Sequence, residues 1–307
     1  MSVKSYHEKE PGSSEVFCEL GPCWHLWTSE DFEIIFQNDD DYRAGMDIVA
    51  IAAKMCPDLI VLTFEIMSNH LHLCVAGDEK LVDAMFDIIK EFLRRYFGKL
   101  GRAIDWEKFR CGRRLLETME ELRNAIVYDN RNGFVVRPEY SPFTYPWGAN
   151  KYFFNPAACQ LEMLDCHEMS LRERRRKTHS RKADGISGVM VSGGCASPLS
   201  FCRIDLAENI FHDASHYFYK LGRSVELNAK FAKEMGESVY YTDNELFALL
   251  CKLCKEQYGV SAPSQVPSDA KLELAKMLKL SYNASLKQIK RMLKLGQNVL
   301  DSLFGTK

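Results

Sequence analysis

LIVLTFEIMSNHLHLCV, residues 59–75, is apolar and β-branched without the 3.6-residue spacing of a helix, and Met67-Ser68-Asn69 interrupts it near its middle. It therefore reads as a long strand or a hairpin. His70 and His72 follow the interruption one residue apart. On a strand this spacing puts both imidazoles on one face, expected to be accessible, while Leu71 and Leu73 point into the core. Two convergent imidazoles are half of a metal site, although a bare His-x-His equally describes surface or packed histidines.

The flanking segments alternate strand and helix. Trp24 to Thr28 and Phe32 to Phe36 read as short strands, and Asp41 to Met55 has helical apolar spacing at Met46, Val49 and Ala53 that stops before Pro57. Glu79 to Leu100 is strongly amphipathic, with Leu81, Met85, Ile88, Ile89, Phe92 and Tyr96 along one face. A further helix is expected from about Arg114 to Asn132, with Asn132-Gly133 as its stop signal. The expected architecture is α+β, a few-stranded antiparallel sheet covered by helices.

At 307 residues the chain is long enough for two domains, and a hydrophobic content of 46% with 27% charged residues excludes wholesale disorder. The net charge of −2 excludes a uniformly basic coat but hides an asymmetry. Residues 1–56 hold 11 Asp/Glu against four Lys/Arg, whereas residues 268–307 hold eight Lys/Arg against three Asp/Glu. An acidic front and a basic tail suggest that the tail meets a polyanion. Residues 171–182, LRERRRKTHSRK, form a second cationic run, read either as a solvated loop or as a nucleic-acid contact through Arg172, Arg174, Arg175, Arg176 and Lys177. The Gly/Ser-rich ADGISGVMVSGGCASP that follows reads as linker.

Beyond it the pattern is helical over 206–221, 227–236, 243–258 and 268–280. Ser285 to Met292, a turn at Lys294-Leu295-Gly296, and Gln297 to Phe304 complete it, with Ile289, Leu293, Val299 and Leu303 as the apolar set. Two short helices around a tight turn fit a helix-turn-helix as well as a plain helical hairpin, and Lys287, Lys290, Arg291 and Lys294 tilt the reading towards DNA. The expected layout is a tail (1–22), an α+β domain (23–155), a basic and Gly/Ser-rich linker (156–200) and a helical DNA-binding region (201–307), with the helix-turn-helix at about 268–305. Eleven cysteines without framework spacing read as reduced thiols in a cytoplasmic protein, and Cys251-x-x-Cys254 lies in an apolar helical pattern that favours plain packing. The N-terminus carries no signal-like stretch, and no apolar run approaches membrane length.

Tyr128 and Asn132 project from one face of their helix, so one can attack while the other holds a metal. Tyrosine, with a free pKa near 10, needs an adjacent metal to polarise its target, usually a phosphate. By itself Tyr-x-x-x-Asn also describes a surface tyrosine before a helix stop.

The ordered set resembles the HUH single-tyrosine transposases, and most closely their REP-associated branch with a long C-terminal extension. The matching residues are Met67-Ser68-Asn69-His70-Leu71-His72-Leu73, then Arg95-Tyr96-Phe97 at the end of an amphipathic helix. Tyr128-Asp-Asn-Arg-Asn132, Tyr145-Pro146-Trp147-Gly148-Ala149 and Tyr152-Phe153 follow in the family's order. The chain departs from the family at Gly133, where Asn-Pro is usual. The resemblance implies a ferredoxin-like antiparallel sheet (an HUH nuclease core) followed by an all-α C-terminal region. It implies Mg²⁺ or Mn²⁺ on His70 and His72 with Asn132 as third ligand, although imidazoles alone would also suit Zn²⁺.

It further implies that Tyr128 cleaves single-stranded or hairpin DNA, including palindromic ends, through a 5′-phosphotyrosine that is resolved by strand transfer, and it allows a homodimer. No nucleotide cofactor is expected, since the chain has no Gly-x-x-x-x-Gly-Lys loop. The alternatives are a non-catalytic, domesticated DNA-binding protein and a replication-initiating or relaxase-type nuclease. Tyr140, Tyr145 and Tyr152 are the rival nucleophiles; the first two lie beside Pro138, Pro142 and Pro146, where a packing role is expected.

Overall fold

The computed structural model describes residues 13–28, 33–136, 140–141, 143–160, 163–178, 187–223, 241 and 243–305. They fall into two compact units, one of residues 1–133 and 140–223, the other of 134–139 and 224–307.

In the first unit α1 (Ser13–Leu20) precedes β1 (Cys23–Thr28), α2 (Asp39–Met55), β2 (Ile60–Ile66), β3 (Leu71–Ala76), α3 (Glu79–Lys99), β4 (Cys111–Leu116) and α4 (Met119–Val136). The strands form one antiparallel sheet in the order β2-β3-β1-β4. The succession β-α-β-β-α-β in that order is the ferredoxin-like arrangement, so the α+β expectation holds. Asn38 and Asp78 start the two crossover helices by accepting from the backbone N–H groups of Asp41 and Lys80.

The sheet separates apolar from polar. Leu26, Phe64 and Leu73 lie opposite one another on one face, and His25, Thr63, Glu65, His72 and Cys74 on the other. Arg113, opposite Leu26, reaches Glu79 and Asp83 of α3, whereas Arg114, opposite His25, reaches Glu121 of α4. Hence α2 and α3, which pack together, cover the apolar face, and α4 covers the polar one. β4 was expected to begin a helix; its charged edge sequence CGRRLL suits a strand whose outer side meets water. Gly112 is required there because the Trp27 indole lies where a Cβ would stand.

The strand expected over Phe32 to Phe36 does not form in the described part, 33–36. The N–H groups of Ile35 and Phe36 instead both donate to the Ser68 carbonyl, which hooks the segment onto the β2–β3 turn. Arg102 secures it, donating to the Ile35 carbonyl at 2.7 Å and gripping buried Asp41 through both nitrogens at 2.8 and 3.1 Å. Arg102→Ala strands that carboxylate. It is expected to lower unfolding free energy by about 2–4 kcal/mol in urea titration, with Arg102→Lys recovering only part.

In its described part, 187–198, the segment whose composition reads as a linker is packed structure. β6 (Met190–Ser192) pairs with β5 (Leu164–Asp165) and β7 (Cys195–Ala196), and Val189, Cys166 and Ala196 close over Ala50 of α2. The Ala196 N–H donates to buried Asp47 at 2.7 Å. Glycine and serine at 192–194 serve the tight turn, where Gly193 and Gly194 take positive φ. The cationic run forms α6 (Leu171–Thr178), and residues 179–186 lie outside the described part. α5 (Pro156–Cys159) precedes β5. The helix expected over 206–221 is divided into α7 (Ile204–Asn209) and α8 (Ala214–Arg223). Arg123 pins the break by donating to the Ile210 carbonyl, and Asp213 caps α8.

The second unit holds α9 (Asp243–Tyr258), α10 (Ser268–Ser281), α11 (Leu286–Leu293) and α12 (Gln297–Phe304) around Leu246, Leu250, Leu274, Leu278, Ile289 and Leu300. Cys254 is part of this core, as plain packing requires. The helix expected over 227–236 lies outside the described residues. Ser285 and Gln288 form a capping box at the start of α11, and Lys294 makes the turn at φ 53°. Leu300 fills the core position expected for Val299, which is exposed because it sits one residue, about 100°, around the helix.

Candidate active site

The polar face of the sheet and the facing turn of α4 enclose one cluster. Thr63 of β2 donates to Asn130 of α4, whose amide donates to the Tyr217 hydroxyl at 2.8 Å, and that hydroxyl donates to Asn150 at 2.7 Å. This chain fixes the rotation of α4 and so aims Asp129 and Asn132 at the sheet. Asn132-Gly133, expected to stop the helix, lies inside it, and α4 runs on to Val136. Gly133 serves close approach: its N–H donates to Glu65, and a Cβ would collide with the Glu65 carboxylate and the Tyr145 ring.

His70 ends a tight turn in which the Met67 N–H donates to the His70 carbonyl, and its Nδ1 lies 2.8 Å from Asn69 Oδ1. Its ring meets that of His72 edge-on at 4.9 Å. His72 presents its two nitrogens to different neighbours. Nε2 is 3.3 Å from the Asn132 amide, while Nδ1 is 3.8 Å from Asp129 Oδ1. The Tyr128 ring stands edge-on to His72 at 5.5 Å and to His25 at 6.3 Å. The structure thus gathers His70, His72, Tyr128 and Asn132, drawn from segments some 60 residues apart in sequence.

The imidazoles are not accessible as expected. His72 is 0% exposed and His70 5%, because α4 lies over the strand and the hydrogen-bonded turn folds His70 inward. Burial lowers the His70 pKa to about 4; burial, with the neighbouring His70 and His25, holds His72 well below the usual histidine range. Both rings are therefore neutral near pH 7 and carry a lone pair for a cation.

Four residues that the sequence reading did not single out, His25, Glu65, Cys74 and Asp129, complete the cluster. His25 Nε2 lies 2.7 Å from Asp129 Oδ1, and the His25 ring stacks on His72 at 5.6 Å. The Cys74 thiol donates to the other oxygen of Asp129 at 3.2 Å. Donor atoms of His25, His72 and Asp129 all lie within 4.8 Å of one another, close enough for one metal ion. Glu65, fully buried and directly across from His72, has burial and Asp129 pushing its pKa up, against the Gly133 N–H pulling it down. Period-two placement of His25 and Trp27 on β1, and of Glu65 beside the His-x-His strand, was the available signal.

No family model matches the chain, and no curated protein matches it. A solved structure does. It is described as a REP-associated tyrosine transposase bound to a REP hairpin; the likeness has 11% identity, covers 51% of this chain and 87% of that one, and has a TM-score of 0.32. The chain is similar to that transposase over half its length.

The rival tyrosines have structural tasks. Tyr145 is buried with its hydroxyl donating to the Ile66 carbonyl at 2.6 Å, and Trp147 and Ala149 extend the sheet beside β2 through bonds to Ile66 and Phe64. Tyr152 is buried, and Tyr140 packs edge-on to Tyr145.

The basic residues lie at the surface of each unit. On α6, Arg172 and Arg175 are exposed, and Arg174 reaches His167 Nδ1 at 3.2 Å; the side chains of Arg176 and Lys177 lie outside the described part. In the second unit Lys287 and Lys294 are exposed, Lys290 donates to Gln297 at 3.2 Å, and Arg291 pairs with Asp243. Among the described residues no helix is long and apolar enough to cross a membrane.

Proposed function

We propose that the chain is a metal-dependent DNA strand transferase in which Tyr128 becomes joined to a 5′-phosphate. The convergence of His70, His72, Tyr128 and Asn132 supports this reading, since it brings together two separate motifs of the set that suggested the activity, one on each side of the cluster. His70 and His72 offer neutral imidazole nitrogens and Asn132 an amide oxygen, once its side chain is turned over, to Mg²⁺ or Mn²⁺. Held by these residues, a divalent ion would supply charge neutralisation for a phosphate.

The chain's own part is positional. α4 carries Tyr128 one residue before Asp129 and four before Asn132, so the contacts of those two with His25 and His72 of the sheet also fix the direction of the phenol. The phenol oxygen forms a bond to phosphorus in line with the bond to the 3′-oxygen, which breaks and leaves as a 3′-hydroxyl after taking a proton. Attack by a 3′-hydroxyl on the phosphotyrosine reverses these changes, so strand transfer consumes no nucleotide. Flexible single-stranded or hairpin DNA is the substrate that can reach an enclosed site.

A non-catalytic DNA-binding protein is the second reading. The burial of Tyr128, at 4% exposed, favours it. Covalent adduct formation on a labelled hairpin separates the two.

DNA affinity is assigned to α6 and the α11–α12 pair. Replacing Lys287, Lys290 and Lys294 together by Ala leaves the core intact, because all three side chains are exposed. It is expected to weaken hairpin binding and to reduce the slope of log K against log salt by about 2.7, from three lost contacts to the duplex stem at about 0.9 each. An unchanged slope in fluorescence titration would remove this helix pair from the interface.

A further inference from the structure

The side of His72 turned away from Asn132 contains a cluster that the proposed reaction does not use. His25 of β1, His72 of β3 and Asp129 of α4 are each 0% exposed, and their donor atoms lie within 4.8 Å of one another. The 3.8 Å between His72 Nδ1 and Asp129 Oδ1 is too long for a hydrogen bond but close to the separation of two ligands around a tetrahedral ion. Cys74 already holds the outer carboxylate oxygen, the kind of orienting contact that metal-ligating carboxylates receive.

Charge points the same way. Asp129 and Glu65 are two fully buried carboxylates, and among the described residues neither is paired with Lys or Arg. Glu65 Oε2 is buried and has no hydrogen-bond partner, although its residue stands directly across from His72. Buried carboxylates are ordinarily satisfied by a cation, by hydrogen bonds or by taking up a proton. A dication bound between the imidazoles and Asp129 would balance both.

We propose that His25, His72 and Asp129 form a second metal site, behind the face of His72 that meets Asn132, and that it takes a borderline ion of the Zn²⁺ class. Two imidazoles and one carboxylate are zinc-type ligands, and an enclosure with three donors suits an ion of low coordination number rather than Mg²⁺, which is octahedral and retains several waters. The ion is acquired as the protein folds, since α4 closes over the site. A neutral imidazole has one lone pair, so an ion on Nδ1 leaves the ring proton on Nε2 and turns the edge facing Asn132 from acceptor to donor. Zn²⁺ therefore opposes Mn²⁺-dependent adduct formation; this consequence alone rests on the proposed function, and the site does not.

The test is metal content and visible absorption of the full chain produced in Co²⁺-supplemented medium and dialysed against metal-free buffer. Wild type is expected to retain about one Co²⁺ with ligand-field bands of low coordination number. Asp129→Asn and His25→Gln are expected to lose at least about 90% of it, while His70→Ala and Asn132→Ala keep it. If circular dichroism shows Asp129→Asn unfolded, His25→Gln carries the same expectation, since its amide can still donate to Asp129. Wild-type protein free of Co²⁺, undiminished retention in the folded variants, or loss on His70→Ala instead would overturn the second site. Adduct formation with Mn²⁺, scored separately on wild-type protein refolded in metal-free buffer so that the second site is empty, reports on the proposed function independently.

Discussion

Tyr128→Phe is expected to eliminate the covalent protein–DNA adduct, lowering its rate by about four orders of magnitude or more, while hairpin affinity and Mn²⁺ affinity stay within about twofold of wild type. The substitution keeps the ring that stands edge-on to His72 and His25 and removes only the oxygen. Denaturing gels with a labelled hairpin measure the first quantity, and fluorescence and calorimetric titrations measure the others. A Tyr128→Phe protein that forms adduct at the wild-type rate would place the nucleophile elsewhere.

His72→Ala is expected to have the next largest effect, and a mixed one. Its imidazole joins the Asn132 side of the cluster to the Asp129 side, so deletion removes a proposed ligand and leaves buried polar neighbours unmatched. Adduct formation should fall more than about 100-fold and unfolding free energy by about 2–4 kcal/mol. His70→Ala should match the first loss with a smaller destabilisation of about 1–2 kcal/mol, because among the described residues its one hydrogen-bonded side-chain neighbour is the adjacent Asn69. Comparing the two by urea titration and adduct assay separates chemistry from stability. Equal destabilisation would contradict the central placement of His72.

Where sequence period and burial agree, the fold was legible. The strand from Trp24, the break at Met67-Ser68-Asn69 and the amphipathic helix from Glu79 each carry a pattern that their environment repeats. The helices over 243–258 and 297–304 have their expected bounds for the same reason. Legibility failed where tertiary partners outweigh local pattern. CGRRLL looks helical or irregular until Arg113 and Arg114 are seen to reach α3 and α4 on opposite faces. The Gly/Ser-rich stretch before Pro198 has linker composition, yet Val189 and Ala196 give it enough apolar surface to fasten onto α2.

The site shows the same division. His70, His72, Tyr128 and Asn132 stood out because their motif order resembles a family. His25, Glu65 and Asp129 have no local signature, and only the pairing of β1 and β2 with β3 and the rotation of α4 bring them together. Gly133 illustrates the limit within one residue. Asn-Gly is a sound helix-stop signal, but here the absent side chain is needed so that the helix can touch Glu65 and Tyr145 and continue.

The proposed function stands or falls with the joining of Tyr128 to DNA. Its most direct test is peptide mapping by mass spectrometry of the adduct formed when the wild-type full chain is incubated with a labelled hairpin and Mn²⁺. The predicted result is a single phosphotyrosyl peptide spanning Tyr128, with the nucleotide attached through its 5′-phosphate. A modified peptide containing Tyr140, Tyr145 or Tyr152, or no adduct at all under conditions where the hairpin is fully bound, would contradict it.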